Sequence, residues 1–571
     1  MKKIILAIVT IVAVVFGIKY YKSSSNEMGF ERLLAYVPKD TSYLFGNKKP
    51  TPAEFRERQA KSIETLINSL EKRESKNEKS DKAIKFIKKV VKSYRDNNFE
   101  SFGLTKDRSA IIYGLNNYPV LRTEITSSNK FIESLNSIAK DTNSTIEWKL
   151  CGIYQCIQDD SSKELGLTLV VKNSTIAMAL YPADKKDEYI QHLIDEPNIK
   201  NSYSIDNFNK LLSNNNFKGY GDGFIKLKPI VNLLLSSIGT KELSAKKRDE
   251  LTKCILPMAN DFTDAVDTVI IGYKALDKDN LESDMIIHTN KKVADALKSI
   301  VSENRLTKVA KEPALAIGLR VDAKNLSTAI MSLTNYTVSE AKKYNCSTID
   351  TRKLLKSASS ASLMLSIFGS QLSEAYFGLD SVKLSKTNGQ PELFKALIEV
   401  VSANPDALIG MLKAKVPEFA LVNLPKDGTE SDLLKVLPKP SPKFITSLTA
   451  SLKENTIAIN VSDTEIKEFK DNKHTLLWMD MNNNKLLTLF EDSIRYKTAR
   501  ERVTLDKFKN MGFLKEDEYK RRVSRLEEQE KSGKLGIDAI MSAYPKDFET
   551  SLKLYMDDRG IIFNTKQNRI K

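Results

Sequence analysis

Apolar residues recur along this chain with distinct periods, and the period decides which element each stretch predicts. From Ile4 to Ile18 there is no period: the apolar run is interrupted only by Thr10, with Lys2 and Lys3 before it and Lys19, Tyr20, Tyr21 and Lys22 after it. Such a run predicts an export segment over residues 1–22, followed by a short linker over 23–29. Residues 4–21 approach the roughly 20 residues a spanning helix needs, with tyrosines for the interface and lysines to snorkel. That reading makes the chain a single-pass protein of a bacterial inner membrane with its body in the periplasm. The rival reading is a cleaved signal peptide, with Val15-Phe16-Gly17 as its processing site and a periplasmic or secreted product.

Helical spacing appears next. Thr51-Pro52-Ala53-Glu54 supplies an N-cap, a proline at the first helical position and a third-position glutamate, so a helix is expected to run toward Arg73. A second helix is expected over 81–95, where Ile84, Ile87, Val91 and Tyr94 form one apolar stripe. Packing of that stripe gathers Lys85, Lys88, Lys89 and Lys92 elsewhere on the helix, as a solvated face or as a contact for an anionic surface. Alternation takes over at Thr550, Leu552, Leu554 and Met556. With the turn Asp557-Asp558-Arg559-Gly560 and the return through Ile561, Ile562 and Phe563, it predicts a closing hairpin.

Several of these patterns occur twice, in the same order. Asn173-Ser174-Thr175-Ile176-Ala177 answers Glu454-Asn455-Thr456-Ile457-Ala458, and Tyr113-Gly114-Leu115 answers Phe377-Gly378-Leu379. Tyr273 with Ile286-Ile287 answers Tyr555 with Ile561-Ile562. The expected architecture is therefore α+β: an N-terminal apolar helix, then two tandem homologous units, 30–305 and 312–571, each with a mostly antiparallel sheet and packed helices. The second unit carries a charged helical arm at about 485–533. Leu437 to Pro442, with three prolines, reads as a linker.

Composition agrees with a folded, multi-unit chain: 571 residues, 41% hydrophobic and 28% charged. The formal charge is +16, and +12 remains without Lys2, Lys3, Lys19 and Lys22. A basic exported body attracts anionic envelope components or an envelope protein, and no motif points to nucleic acid.

Chemistry is thinly supplied. Three histidines, His192, His288 and His474, are scattered, and no Cys-x-x-Cys pair or Gly-x-Ser-x-Gly elbow occurs. Gly219-Tyr220-Gly221-Asp222-Gly223 lacks the strand before it and the helix after it that a phosphate cradle needs, and reads as a turn into a strand. No catalytic residue, metal ligand or cofactor is assigned. Four cysteines in an oxidising compartment allow two disulfides. Cys151 and Cys156 face each other across an expected four-residue hairpin loop; Cys254 and Cys346 form the second pair or remain two buried thiols.

The stretch Leu33 to Asn47, containing Tyr36-Val37-Pro38-Lys39-Asp40-Thr41, together with Tyr113-Gly114-Leu115 and Pro119-Val120-Leu121-Arg122, resembles a group of uncharacterised exported proteins of Gram-negative bacteria. That resemblance implies compartment and class and brings no reaction. Leu505, Phe508, Gly512, Leu514, Glu518, Tyr519, Arg522 and Leu526 resemble a short C-terminal helical-hairpin module, although here some 45 residues follow. The function expected from all this is a non-enzymatic, membrane-anchored envelope protein that binds or scaffolds. The alternatives are a carrier holding a lipid or other amphiphile between duplicated units, and an envelope hydrolase with a nonstandard site.

Overall fold

The computed structural model describes residues 27–49, Pro52, Lys88, Lys89 and Lys92, and most of the chain from 103 to 570. Stretches including 239–250, 385–390, 416–421 and 436–442 fall outside the description. The chain is α+β and divides into two compact units: one comprises 1–244 and 259–288, the other 245–258 and 289–571. Among the described residues no helix is long and apolar enough to cross a membrane. The expected single-pass inner-membrane anchor is corrected accordingly; the apolar run 4–18 that prompted it lies outside the described residues, as do Lys85, the proline linker and, apart from Pro52, the helix expected from Thr51.

The first unit opens with helix α1 (Glu27–Leu34) and strands β1 (Tyr43–Asn47), β2 (Ala110–Leu115) and β3 (Tyr118–Glu124). Helix α2 (Ser128–Asp141), β4 (Lys149–Cys151), β5 (Tyr154–Asp159), β6 (Leu165–Val171) and β7 (Thr175–Pro182) follow. Then come α3 (Lys186–Ile194), α4 (Ile205–Asn215), β8 (Tyr220–Lys226), α5 (Leu227–Ile238), α6 (Leu256–Ala265), β9 (Val266–Leu276) and β10 (Asn280–Thr289). The strands pair in the order β4-β5-β6-β7-β3-β2-β1-β8-β9, antiparallel throughout, and β9 continues to β10. Phe30 and Phe208, from α1 and α4, pack with ring centroids 4.8 Å apart over this sheet. Gly46 of β1 is required there, because a Cβ would lie 2.6 Å from the Phe30 ring.

The second unit contains α7 (Lys291–Ser299), β11 (Lys308–Ala310), β12 (Leu315–Arg320), α8 (Ala323–Lys343), α9 (Thr351–Gly369), β13 (Glu374–Leu384), β14 (Pro391–Val401) and α10 (Pro405–Lys415). It continues through β15 (Ser431–Asp432), β16 (Leu448–Lys453), β17 (Thr456–Val461), β18 (Ile466–Glu468) and β19 (His474–Asn482). The arm, α11 (Asn483–Asn510) and α12 (Glu516–Ala543), leads to β20 (Phe548–Asp557) and β21 (Gly560–Arg569). Pairing runs β15-β16-β17-β14-β13-β12-β19-β20-β21, again antiparallel, with β11 and β18 forming a separate pair.

With β4, β5, β11, β15 and β18 set aside and the remaining eight strands of each half numbered by chain order, β6-β7-β3-β2-β1-β8-β9-β10 and β16-β17-β14-β13-β12-β19-β20-β21 follow one and the same sequence of ranks. Helices occupy equivalent connections: α2 and α10 follow the third strand, and α5 with α6 and α11 with α12 join the sixth to the seventh.

Candidate functional site

Among the described residues, two clusters gather chemistry-bearing side chains. The first surrounds the C-terminus of α3, where the last carbonyls of a helix lack intrahelical donors. Arg122 of β3, fully buried, donates through Nη2 to the His192 carbonyl at 2.6 Å and through Nη1 to the Leu193 carbonyl at 3.4 Å. Lys172, just past β6, donates to the carbonyls of Ile194 and Asp195 at 3.0 and 3.1 Å and pairs with Glu196. Tyr36 lies over the Arg122 guanidinium, 4.0 Å from its ring centroid. Both cations therefore cap one helix and oppose its dipole, a structural use that explains why charged groups are buried here.

The same cluster tunes two acid–base groups. Arg122 Nε donates to the Tyr113 hydroxyl at 3.1 Å, and that hydroxyl lies 2.7 Å from His192 Nε2. Burial, reinforced by the Arg122 charge, lowers His192 to about 4, and burial raises the Tyr113 phenol. A neutral imidazole accepting from Tyr113 completes the chain, whereas an imidazolium would remove the acceptor and add a cation beside Arg122.

A pH dependence follows. Below its ordinary value near 6.5 the unfolded His192 takes a proton that the folded one refuses until about 4, so this group weakens the fold as pH falls through that window. The lost stability amounts to about 3 kcal/mol at the acid end. Asp222 acts oppositely: burial raises it to about 6 although Gly219, Tyr220 and Tyr273 donate backbone N–H groups to it, so the folded protein takes its proton first. The difference between wild type and His192→Gln isolates the histidine. Urea midpoints measured between pH 7 and pH 4 should show the variant losing less stability; parallel curves would remove His192 from the acid response.

The second cluster lies on the arm. Helix α11 ends in a left-handed cap at Gly512, φ +76°: the Gly512 N–H bonds the Lys509 carbonyl and the Phe513 N–H the Phe508 carbonyl. Phe508 and Phe513 pack edge to face across this turn, the hydrophobic contact such a cap favours. Leu505, Leu514 and Leu526 are buried together, with Tyr519 and Val523 against them, and Tyr519 donates to Asp506 at 2.5 Å. Between α11 and α12 runs a groove of about 550 Å³. Lys497 and Arg500 line it from one helix, Arg522 and Arg525 from the other.

The structure joins Cys151 to Cys156 and Cys254 to Cys346. The first hairpin is tighter than the expected four-residue loop. Cys151 stands opposite Tyr154 and Cys156 opposite Lys149, leaving a two-residue turn in which Gly152 takes φ +61°, a conformation that glycine opens. Of the candidate lysines, Lys88 and Lys89 are helical and half-buried, Lys89 pairs with Asp141, and Lys92 is exposed. Gly219, with φ of +88°, immediately precedes β8, and Gly221, with φ of +103°, is its second residue. His288 lies on β10 and His474 opens β19. Among the described residues no group of three or more His, Cys, Asp or Glu side chains is placed to hold a metal ion.

The α3 cap was missed by sequence reasoning because its members come from β3, the β6–β7 turn and α3, and nothing local marks their meeting. The arm groove had a visible signal: Lys497, Arg500 and Thr504, and Arg522, Arg525 and Gln529, each recur at helical spacing. No protein-family model, no curated protein and no solved structure matches this chain.

Proposed function

We propose that this is a non-enzymatic binding protein of an oxidising compartment, built by tandem duplication of an α+β unit, with the second unit's arm as its docking element. The duplication is supported by the shared order of strand ranks, and by the place of the repeated motifs. Tyr113-Gly114-Leu115 and Phe377-Gly378-Leu379 lie on β2 and β13, each second among the eight strands that share the order. The two disulfides support the compartment.

The observation that carries binding over catalysis is how the charges are used. Arg122 and Lys172 are spent on helix carbonyls, and buried Glu374 accepts from the backbone N–H groups of Arg305 and Leu306. Of the groove cations of the arm, Arg522 pairs with Glu518, and Lys497, Arg500 and Arg525 converge without an ion pair among the described residues. A photoactivatable residue at position 525 should give a discrete adduct with a partner in cells, while the same residue at exposed position 435 gives none. Identical patterns from both positions would remove the arm from docking.

A carrier of a lipid or other amphiphile stands second. It is supported by Ile317, Leu319, Phe377 and Leu477, apolar side chains each exposed by more than a third on three neighbouring strands of the second unit.

A further inference from the structure

We infer that the groove between α11 and α12 receives an acidic amphipathic helix from a partner protein. This rests on the arm being the docking element and names the class of its partner. The groove is lined along α11 from Tyr496 to Phe508, which at 1.5 Å per residue is a length of about 18 Å, or some three helical turns. Leu505, Phe508 and Leu526 give it an apolar floor. A helical hairpin with such a furrow is two-thirds of a three-helix bundle, and a third helix would fill it by its own apolar stripe.

Charge settles the kind of helix. Lys497 and Arg500 stand on one wall and Arg522 and Arg525 on the other, against a single lining carboxylate, Glu501. Arg522 is paired with Glu518, and its fork has further donors to offer. Lys497, Arg500 and Arg525 have no ion pair among the described residues. Guanidinium groups on both sides of an apolar floor complement a helix whose leucine-type stripe, at i, i+3, i+4 and i+7, is flanked on both sides by Glu or Asp. A planar anionic bilayer matches the arrangement less well, because the cations face one another across a furrow rather than lying in one plane.

The test uses the full chain and three labelled synthetic helices of 18 residues: a leucine stripe flanked by glutamates, the same helix with lysines for glutamates, and the acidic helix broken by a central proline. Fluorescence anisotropy should show the acidic helix binding in preference to both controls. Arg500→Glu with Arg525→Glu should weaken it by about tenfold or more, and Glu501→Lys should tighten it. All three positions are solvent-facing or half-buried on the arm, and circular dichroism checks that the variants keep the wild-type helix content.

Equal binding of the acidic and basic helices, or indifference to the double reversal, would overturn the inference. So would binding to vesicles of phosphatidylglycerol and phosphatidylcholine without binding of the acidic helix, or self-association through the groove that the peptide does not compete with. If the discrete adduct forms at position 525 and not at position 435 while the acidic helix fails to bind, the partner class falls and the docking role stands. Identical adduct patterns at 525 and 435, together with a peptide that does not bind, overturn both.

Discussion

Replacing Cys254 and Cys346 together by alanine should destabilise the second unit by about 4 to 5 kcal/mol, the larger of the two disulfide effects in this chain. The bond closes a separation of 92 residues, whereas Cys151–Cys156 closes 5. Loop-closure entropy grows with the logarithm of that length, so removal of the short bond should cost about 2 kcal/mol. Local packing works in the same direction: Cys254 is almost fully buried, and the Cys346 N–H is bonded to the Ala341 carbonyl after α8. Denaturant unfolding of the two double variants, followed by a probe in each unit, measures both costs. A short-bond variant as damaged as the long-bond variant would show that local strain or packing, not closure entropy, sets the contribution. The long bond also ties residues 245–258, which belong to the second unit although 259–288 belong to the first, to the far end of α8.

Local features of the fold were legible because a few adjacent residues decide them. The β20–β21 hairpin needs an alternating strand and a glycine, and Gly560 takes φ +132° at its turn. The arm needs two amphipathic runs and a helix stop, supplied by Gly512. Strand order was not legible, since β1 chooses β2 and β8 as neighbours through pairings that span more than a hundred residues in one case. What the chain offered instead was recurrence: motifs repeated in one order lie on strands of equal rank, and recurrence survives where pairing cannot be read. The Arg122 cap shows the limit. An arginine in an apolar strand reads as an edge or a surface, and only the packing of α3 some 70 residues later makes it a buried helix cap. Lys89 shows the converse, because helical spacing projected it as part of a free array while Asp141, on α2, takes it up. The arm groove falls between these cases: cation spacing along each helix was visible, but which two faces meet depends on how the Gly512 turn folds α12 back on α11.

Trp478→Ala should cost the second unit about 3 to 5 kcal/mol, while Trp478→Phe should be close to neutral. Trp478 is almost fully buried on β19, beside Gly318 of β12 and Lys553 of β20. Its ring stacks on Phe469 at 5.0 Å and more distantly on Tyr376 at 6.5 Å, within a core that includes Leu306, Val309, Leu397 and Val401. Alanine would empty that volume, and a sheet held by register on both sides cannot collapse to refill it. Phenylalanine keeps much of the ring contact and removes an indole N–H that finds no hydrogen-bond partner among the described residues, so a packing loss of roughly 1 to 2 kcal/mol is offset by a similar relief. Gly318→Ala provides the complementary strain: its Cβ would fall 2.0 Å from the indole, so adding a single methyl should destabilise, and Trp478→Phe should reduce that cost in the double variant. Additive effects in this cycle would refute the contact. Because β19 runs directly into α11, whose N-cap Asn482 accepts from the Lys485 N–H, Trp478→Ala should also loosen the base of the arm, read as faster hydrogen exchange over 483–490. Unchanged exchange there would show that the arm is held by its own hairpin core at Leu505, Leu514 and Leu526 rather than by the sheet that launches it.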